Sequence, residues 1–216
     1  LTASTGVIGM QIKKEPIQKG AKLLKDALAD TKEAGLLAAK AIMTTDTVPK
    51  EAAASFEVDG VTVTVGGMSK GSGMIHPNMA TMLSVTTTDA KISHDLLQEM
   101  VSEIVSDSFN MISVDRDTST NDTYLVLANG ESGVEIKAGT NRYVKFKEAL
   151  SFVATDLAKQ MAADGEGATR LMEVRAVHCK NKEEAKIFSK SVVTSNLVKA
   201  MLFGNCLLYT SPSPRD

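Results

Sequence analysis

One run of this 216-residue sequence gathers the residue types that chemistry needs: Lys70-Gly71-Ser72-Gly73-Met74-Ile75-His76-Pro77-Asn78-Met79-Ala80-Thr81-Met82-Leu83. Gly71 and Gly73 open backbone conformations closed to residues with a Cβ, while Pro77 fixes its own φ and biases His76 toward an extended shape. The run therefore reads as a bent loop that delivers Thr81 to the start of an apolar strand. A threonine hydroxyl is a weak nucleophile until a base sits beside it. If the Ala80–Thr81 bond is cut, the freed α-amine lies on the same residue and titrates near ~8, close to working pH. Thr81 is the candidate nucleophile on that logic, set against the plain alternative that a threonine after a small residue simply begins a strand.

Other readings of the same run fail on context. Gly67-Met68-Ser69-Lys70-Gly71 fits the G-x-S-x-G elbow of serine hydrolases, but that elbow needs a helix directly after the serine, which Gly71, Gly73 and Pro77 disfavour. As a phosphate cradle, Lys70 stands at the wrong end of its glycines. Asp115-Arg116-Asp117-Thr118-Ser119-Thr120-Asn121-Asp122 packs acids and hydroxyls, yet lacks the glycine and terminal glutamate of a calcium loop, so a hydrogen-bonded turn is expected.

The elements that must hold these residues follow from periodicity. Apolar residues from Pro16 to Met43 recur at helical spacing and predict a helical pair, with Asp30 and Glu33 as cap and N3 partner of the second helix. Thr44 to Thr47 and Pro49 end it. Phe56 to Val65 alternates around Asp59-Gly60, the signature of a tight hairpin. Further on, Thr81 to Thr88 reads as a buried strand, Lys91 to Ser108 as a helix entered through Ser93, and Met111 to Val114 as a strand. Arg142 to Ala163 reads as an amphipathic helix with Val144, Ala149, Phe152, Leu157 and Met161 inward and Gly165 past its end. Thr169 to Cys179 reads as a strand, and Asn181 with Glu184 opens a last helix in capping-box style. Such alternation favours a layered α/β domain.

Composition narrows the partners. With 43% hydrophobic residues and a net charge of -2, the chain can build a core and gives no electrostatic reason to bind nucleic acid or an anionic membrane. Its apolar runs are far shorter than a membrane span. Cys179 and Cys206 make neither a disulfide framework nor a metal cage, so no metal is expected.

The Lys70–Leu83 run resembles the self-cleavage and active-site segment of the ornithine acetyltransferase family, the bifunctional glutamate N-acetyltransferases. Similar in the same order are STGVIG from Ser4, AIMTTDTVPK from Ala41, VDRDTSTNDT from Val114, DGEGATRL from Asp164 and SNLVKAMLFGN from Ser195. The resemblance thus covers residues 1 to about 205. It implies a layered sandwich of helices over antiparallel sheets, of the self-processing N-terminal-nucleophile-like kind, with cleavage between Ala80 and Thr81. By motif match Thr81 is nucleophile and substrate contact, Thr5 and Gly6 supply the oxyanion hole, and Thr44, Lys70 and Glu166 bind substrate, Lys70 as a carboxylate clamp. The implied reaction moves acetyl from N-acetylornithine through Thr81 to glutamate, with no cofactor and with acetyl-CoA as co-substrate only in a bifunctional member. An aminopeptidase of related self-cleaving fold, and an inactive fragment of the transferase, are the alternatives.

The resemblance also implies that the two cleaved chains associate, as a heterotetramer of two α and two β chains. The compartment would be the cytoplasm in a bacterium or the mitochondrial matrix in a eukaryote, with any targeting segment out of view. Arg116 departs from the family, which usually has glycine there; if the position needs positive φ, the cost is on the order of 1 kcal/mol. After Asn205 the resemblance stops, and Cys206 to Asp216 is expected to be a non-native tail without core contacts.

Overall fold

A computed structural model describes residues 3–7, 9–76 and 82–205. Ala80, Thr81 and the tail from Cys206 lie outside the described residues, so the cleavage site and the tail expectation are not addressed by it.

The centre is a four-stranded sheet in the order β1-β2-β3-β5, formed by β1 (Lys50–Val58), β2 (Val61–Lys70), β3 (Leu83–Thr88) and β5 (Thr123–Ala128). The first two make the expected hairpin, closing at the Val58 and Val61 pair through Asp59 and Gly60, both at positive φ. Two consecutive positive-φ residues match the right-handed twist of the flanking strands.

β3 continues the antiparallel pattern beside β2, but β5 lies parallel to β3, so the sheet is mixed rather than antiparallel throughout. The reason is the connection: helix α3 (His94–Asp107) crosses between the two strands and returns the chain to the same end of the sheet. A second parallel pair joins the two-residue strands β4 (Lys91–Ile92) and β6 (Glu135–Ile136).

Helix α4 (Asn141–Ala163) packs on β1 and β2 and supplies more of the core than any other described element. Its buried stripe is Phe146, Ala149, Leu150, Val153, Ala154, Leu157, Ala158 and Met161, which meets Val63 and Val65 of β2. Ala149, Leu157 and Met161 face inward as expected, whereas Val144 and Phe152 are 50% and 58% exposed. The stripe runs one position off the predicted one, because Phe146, Leu150 and Val153 fill the sheet-facing side.

The helical pair precedes the sheet as α1 (Lys14–Leu24) and α2 (Lys32–Ala41). The second is capped by Thr31, whose hydroxyl accepts the Ala34 N–H at 3.1 Å, one residue later than expected. Two expected strands are absent. Residues 109–111 form a 3-10 turn and 112–114 are irregular, with Val114 N–H donating singly to the Ile75 carbonyl at 2.7 Å. Residues 169–179 form no ladder, since a strand needs a hydrogen-bonded neighbour and none of the described strands lies alongside. Helix α5 (Lys182–Val193) opens as predicted: Asn181 accepts the Glu184 N–H at 2.9 Å and Glu184 accepts the Lys180 N–H at 2.7 Å. Helix α6 (Asn196–Phe203) follows, capped by Ser195.

Candidate active site

β2 ends at Lys70, whose side chain is 2% exposed. Its ammonium donates to Thr44 Oγ1 at 3.0 Å and Thr5 Oγ1 at 3.4 Å, and among the described residues it forms no direct ion pair. Burial lowers its pKa, the charge of Asp46 opposes that, and Lys50 adds to it. An ammonium held this way has hydroxyls for company and spare capacity for an anion. Three of the six predicted positions, Thr5, Thr44 and Lys70, thus come together from segments far apart in sequence. Gly6 follows Thr5, and the space where a Cβ would stand is open.

The same end of β2 is fixed from below by a buried charge network. Lys50, fully buried, reaches Asp46 and Asp164 at 2.6 Å each. Asp46 also accepts N–H bonds from Gly71 at 2.6 Å and Thr44 at 3.1 Å. Asp164 accepts the Thr47 N–H at 3.0 Å and its hydroxyl. Burial pushes both carboxyls up, but the Lys50 hydrogen bond and the N–H donors outweigh it and hold them below the ordinary carboxylate range. The unit ties three segments to one cation: the Thr44 turn, the loop after Lys70, and the C-terminus of α4.

Glu166 enters from that helix end. Its N–H donates to the Ser72 carbonyl at 2.7 Å, and Ser72 Oγ pairs with Thr45 Oγ1 at 2.7 Å. A Cβ on Gly73 would meet the Glu166 carboxyl at 2.6 to 2.7 Å, so glycine there is what lets the acid lie over the loop. Glu166 is itself exposed, and lines an apolar cavity of about 220 Å³ bounded also by Met111, Ala158 and Phe203; Thr5, Thr44 and Lys70 are not part of that wall.

On the downstream side, β3 begins two residues after Thr81. Met82 N–H donates to Asp122 Oδ1 at 3.1 Å and the Met82 carbonyl accepts the Thr123 N–H at 3.0 Å. The acidic run before it is a series of hydrogen-bonded turns: Asp115 accepts N–H bonds from Met74, Ile75 and Asp117, and Ser119 accepts the Asn121 N–H. Arg116 sits at φ 72°, the left-handed region expected if glycine were the natural occupant. Ser69, the rival nucleophile, lies inside β2 at 1% exposure with its hydroxyl on Met161 Sδ at 3.0 Å, and no helix follows it.

Against known proteins, a family model described as the ArgJ family matches residues 1–206. The chain belongs to that family. It is 52% identical over 203 residues to the arginine biosynthesis bifunctional protein ArgJ of Symbiobacterium thermophilum, covering 94% of this chain and 50% of the relative. To a rice ArgJ described as chloroplastic it is 49% identical over 206 residues, covering 94% and 44%. The chain therefore spans about half the length of the curated relatives it matches. A crystal structure of ArgJ from Bacillus halodurans aligns with a TM-score of 0.56 at 41% identity, covering 58% of this chain and 60% of that one. This plant ArgJ is chloroplastic by name, where the resemblance pointed to the mitochondrial matrix for a eukaryote. Among the described residues no helix is long and apolar enough to cross a membrane.

Sequence reasoning singled out Thr44 and Lys70 but passed over the residues that hold them. Asp46, Lys50 and Asp164 were visible only as an i, i+4 pair and an acid at a helix end, signals that usually mark solvated surface. Burial of the first two, a tertiary property, is what sets them apart.

Proposed function

We propose that the full-length protein transfers acetyl from N-acetylornithine to glutamate through an acetyl ester on Thr81, after self-cleavage between Ala80 and Thr81. The observation that carries this reading is the buried Lys70 ammonium between the hydroxyls of Thr5 and Thr44. A desolvated cation with a directional set of neighbours suits the α-carboxylate of an amino acid far better than a peptide backbone. Membership of a family whose relatives are named arginine biosynthesis bifunctional proteins points the same way.

In this reading the Thr81 hydroxyl attacks the acetyl carbonyl, its α-amine takes the proton, and Thr5 and Gly6 donate to the oxyanion. Ornithine leaves with a proton on its amine. Glutamate then enters on the same Lys70 clamp and accepts the acetyl group. Thr44 contacts the substrate and Glu166 organises its far end. The exchange needs no cofactor, acetyl-CoA serving as an alternative acetyl donor. Helices layered over stacked sheets, and two α and two β chains in one assembly, complete the proposal.

The test is acyl exchange on the full-length protein. Ornithine released from N-acetylornithine only when glutamate is present supports the transferase, and amine release from peptide amides regardless of glutamate supports an aminopeptidase instead. Thr81→Ala should stay uncut and inactive, while Thr81→Ser retains some cleavage. An alanine variant that still splits and transfers acetyl would end the reading.

A further inference from the structure

Two consecutive residues at the entry to β5 touch both halves of the proposed site. Asp122 Oδ1 accepts the Met82 N–H at 3.1 Å, and that N–H belongs to the peptide joining Met82 to Thr81. Asn121 Nδ2 donates to the Ser4 carbonyl at 3.2 Å, and that carbonyl belongs to the peptide joining Ser4 to Thr5. Thr5 in turn receives the Lys70 ammonium at 3.4 Å. The Asn121-Asp122 pair is therefore one bond from the proposed nucleophile and one bond from the proposed oxyanion donors.

We propose that Asp122 is a positioning residue for Thr81, its carboxylate accepting from the Thr81–Met82 peptide while the adjacent Asn121 holds the Ser4–Thr5 peptide. The proposal rests on Thr81 being the nucleophile. A reacting hydroxyl must be held against its oxyanion donors to within a fraction of an ångström, and a shared anchor for both is a direct way to do so.

The environment of Asp122 is not what a structural carboxylate would choose. Burial pushes its carboxyl up to about 6, and among the described residues the Met82 N–H is the group that opposes it. Among the described residues no charged side chain from β3, β5 or the turns before them acts on it. A carboxylate kept half-buried with no described cation beside it costs stability when ionised, and carboxyls perturbed in this way cluster where charge has a function. Ionised, it is the stronger acceptor and grips the peptide; protonated, it loosens.

The test uses the full-length protein with Asp122→Asn, which keeps an acceptor oxygen but cannot ionise. The expected result is a kcat about 10-fold to 100-fold lower at neutral pH, with KM within about twofold and the break near pH 6 lost while the limb of the Thr81 amine stays. The melting temperature should hold or rise, because a disfavoured charge has gone. A purely structural role predicts the reverse, a lower melting temperature with the break near pH 6 intact, and that result overturns the proposal. Should the variant fail to fold, the wild-type profile decides: a kcat whose acid side follows the Thr81 amine near ~8 alone, with no further break near pH 6, overturns it. Thr81→Ala run in parallel separates the two readings. If it still cuts and transfers, Thr81 itself was misread; if it is dead while Asp122→Asn matches wild type, only this proposal falls.

Discussion

Asp46 and Asp122 flank the same glycine-rich run and each accepts a main-chain N–H from it, Gly71 on one side and Met82 on the other, yet their carboxyls shift in opposite directions. The difference is Lys50. On the upstream flank, burial is outweighed by a cation at 2.6 Å and further N–H donors, so the charge is kept and the segment is fixed. On the downstream flank, burial meets one N–H among the described residues and wins. The upstream flank is a closed electrostatic unit that sets shape, and the downstream flank keeps an acid that no described cation compensates, next to the residue proposed to react.

Removing the cation breaks that contrast most severely. Lys50→Met leaves Asp46 and Asp164 buried and facing each other's charge, and the loss of one partner from such a pair costs about 3 to 5 kcal/mol. Thermal or urea unfolding of the full-length protein measures it. A loss below about 1 kcal/mol would mean that the network is accessible to water and that the upstream flank is not the rigid one.

Lys70 lies inside the upstream flank but is not part of its ion pairs. Lys70→Met should lower kcat/KM for N-acetylornithine by roughly 100-fold or more, chiefly through KM, as expected when a carboxylate loses a desolvated partner. Stability should hold or improve, since burial already disfavours this ammonium. A variant with wild-type KM would remove Lys70 from the substrate clamp.

The pH dependence of stability separates the flanks without touching activity. Asp46 and Asp164 have folded values held below the ordinary carboxylate range, so what they contribute is fully present above about 4 and is lost as pH falls through the depressed values. Asp122 works the other way. Its folded value is raised to about 6, so its contribution is present below the unfolded value and is lost as pH rises toward about 6. Between those limits, Asp122→Asn should gain melting temperature relative to wild type as pH rises. Parallel curves for the two proteins would show that Asp122 titrates as an ordinary exposed acid.

The parts of this molecule legible in its sequence are those governed by local rules. The Asp59-Gly60 hairpin, the Asn181 and Glu184 cap and the long helix α4 follow from turn chemistry and period, and the structure has them where they were expected. Failures came where a neighbour decides. Residues 169–179 have the alternation of a strand but no described partner, and β5 was missed because Thr123 to Ala128 shows no clean alternation and owes its ladder to β3. The site shows the same division. Lys70 was readable from its motif, whereas Asp122 sat in a run of polar residues and became noticeable only through its bond to Met82.

Arg116 offers the smallest and cleanest adjustment on the downstream flank. It stands at φ 72° between Asp115, which pins Met74 and Ile75, and Asp117, whose N–H returns to Asp115 at 3.0 Å. A residue with a Cβ in that region costs on the order of 1 kcal/mol, and the turn is too well bonded to escape by relaxing. Arg116→Gly should therefore raise stability by about that amount, read from the denaturation midpoint at unchanged slope. Arg116→Ala is the control, because it removes the same charge and keeps the Cβ. Burial chiefly holds the His76 pKa below its ordinary value, with the charges of Lys190 and then Arg116 adding to it, so both variants should relieve the Arg116 part equally. If alanine stabilises as much as glycine, the gain comes from charge and not from backbone strain. If neither changes the midpoint, the turn bears the left-handed arginine at no cost.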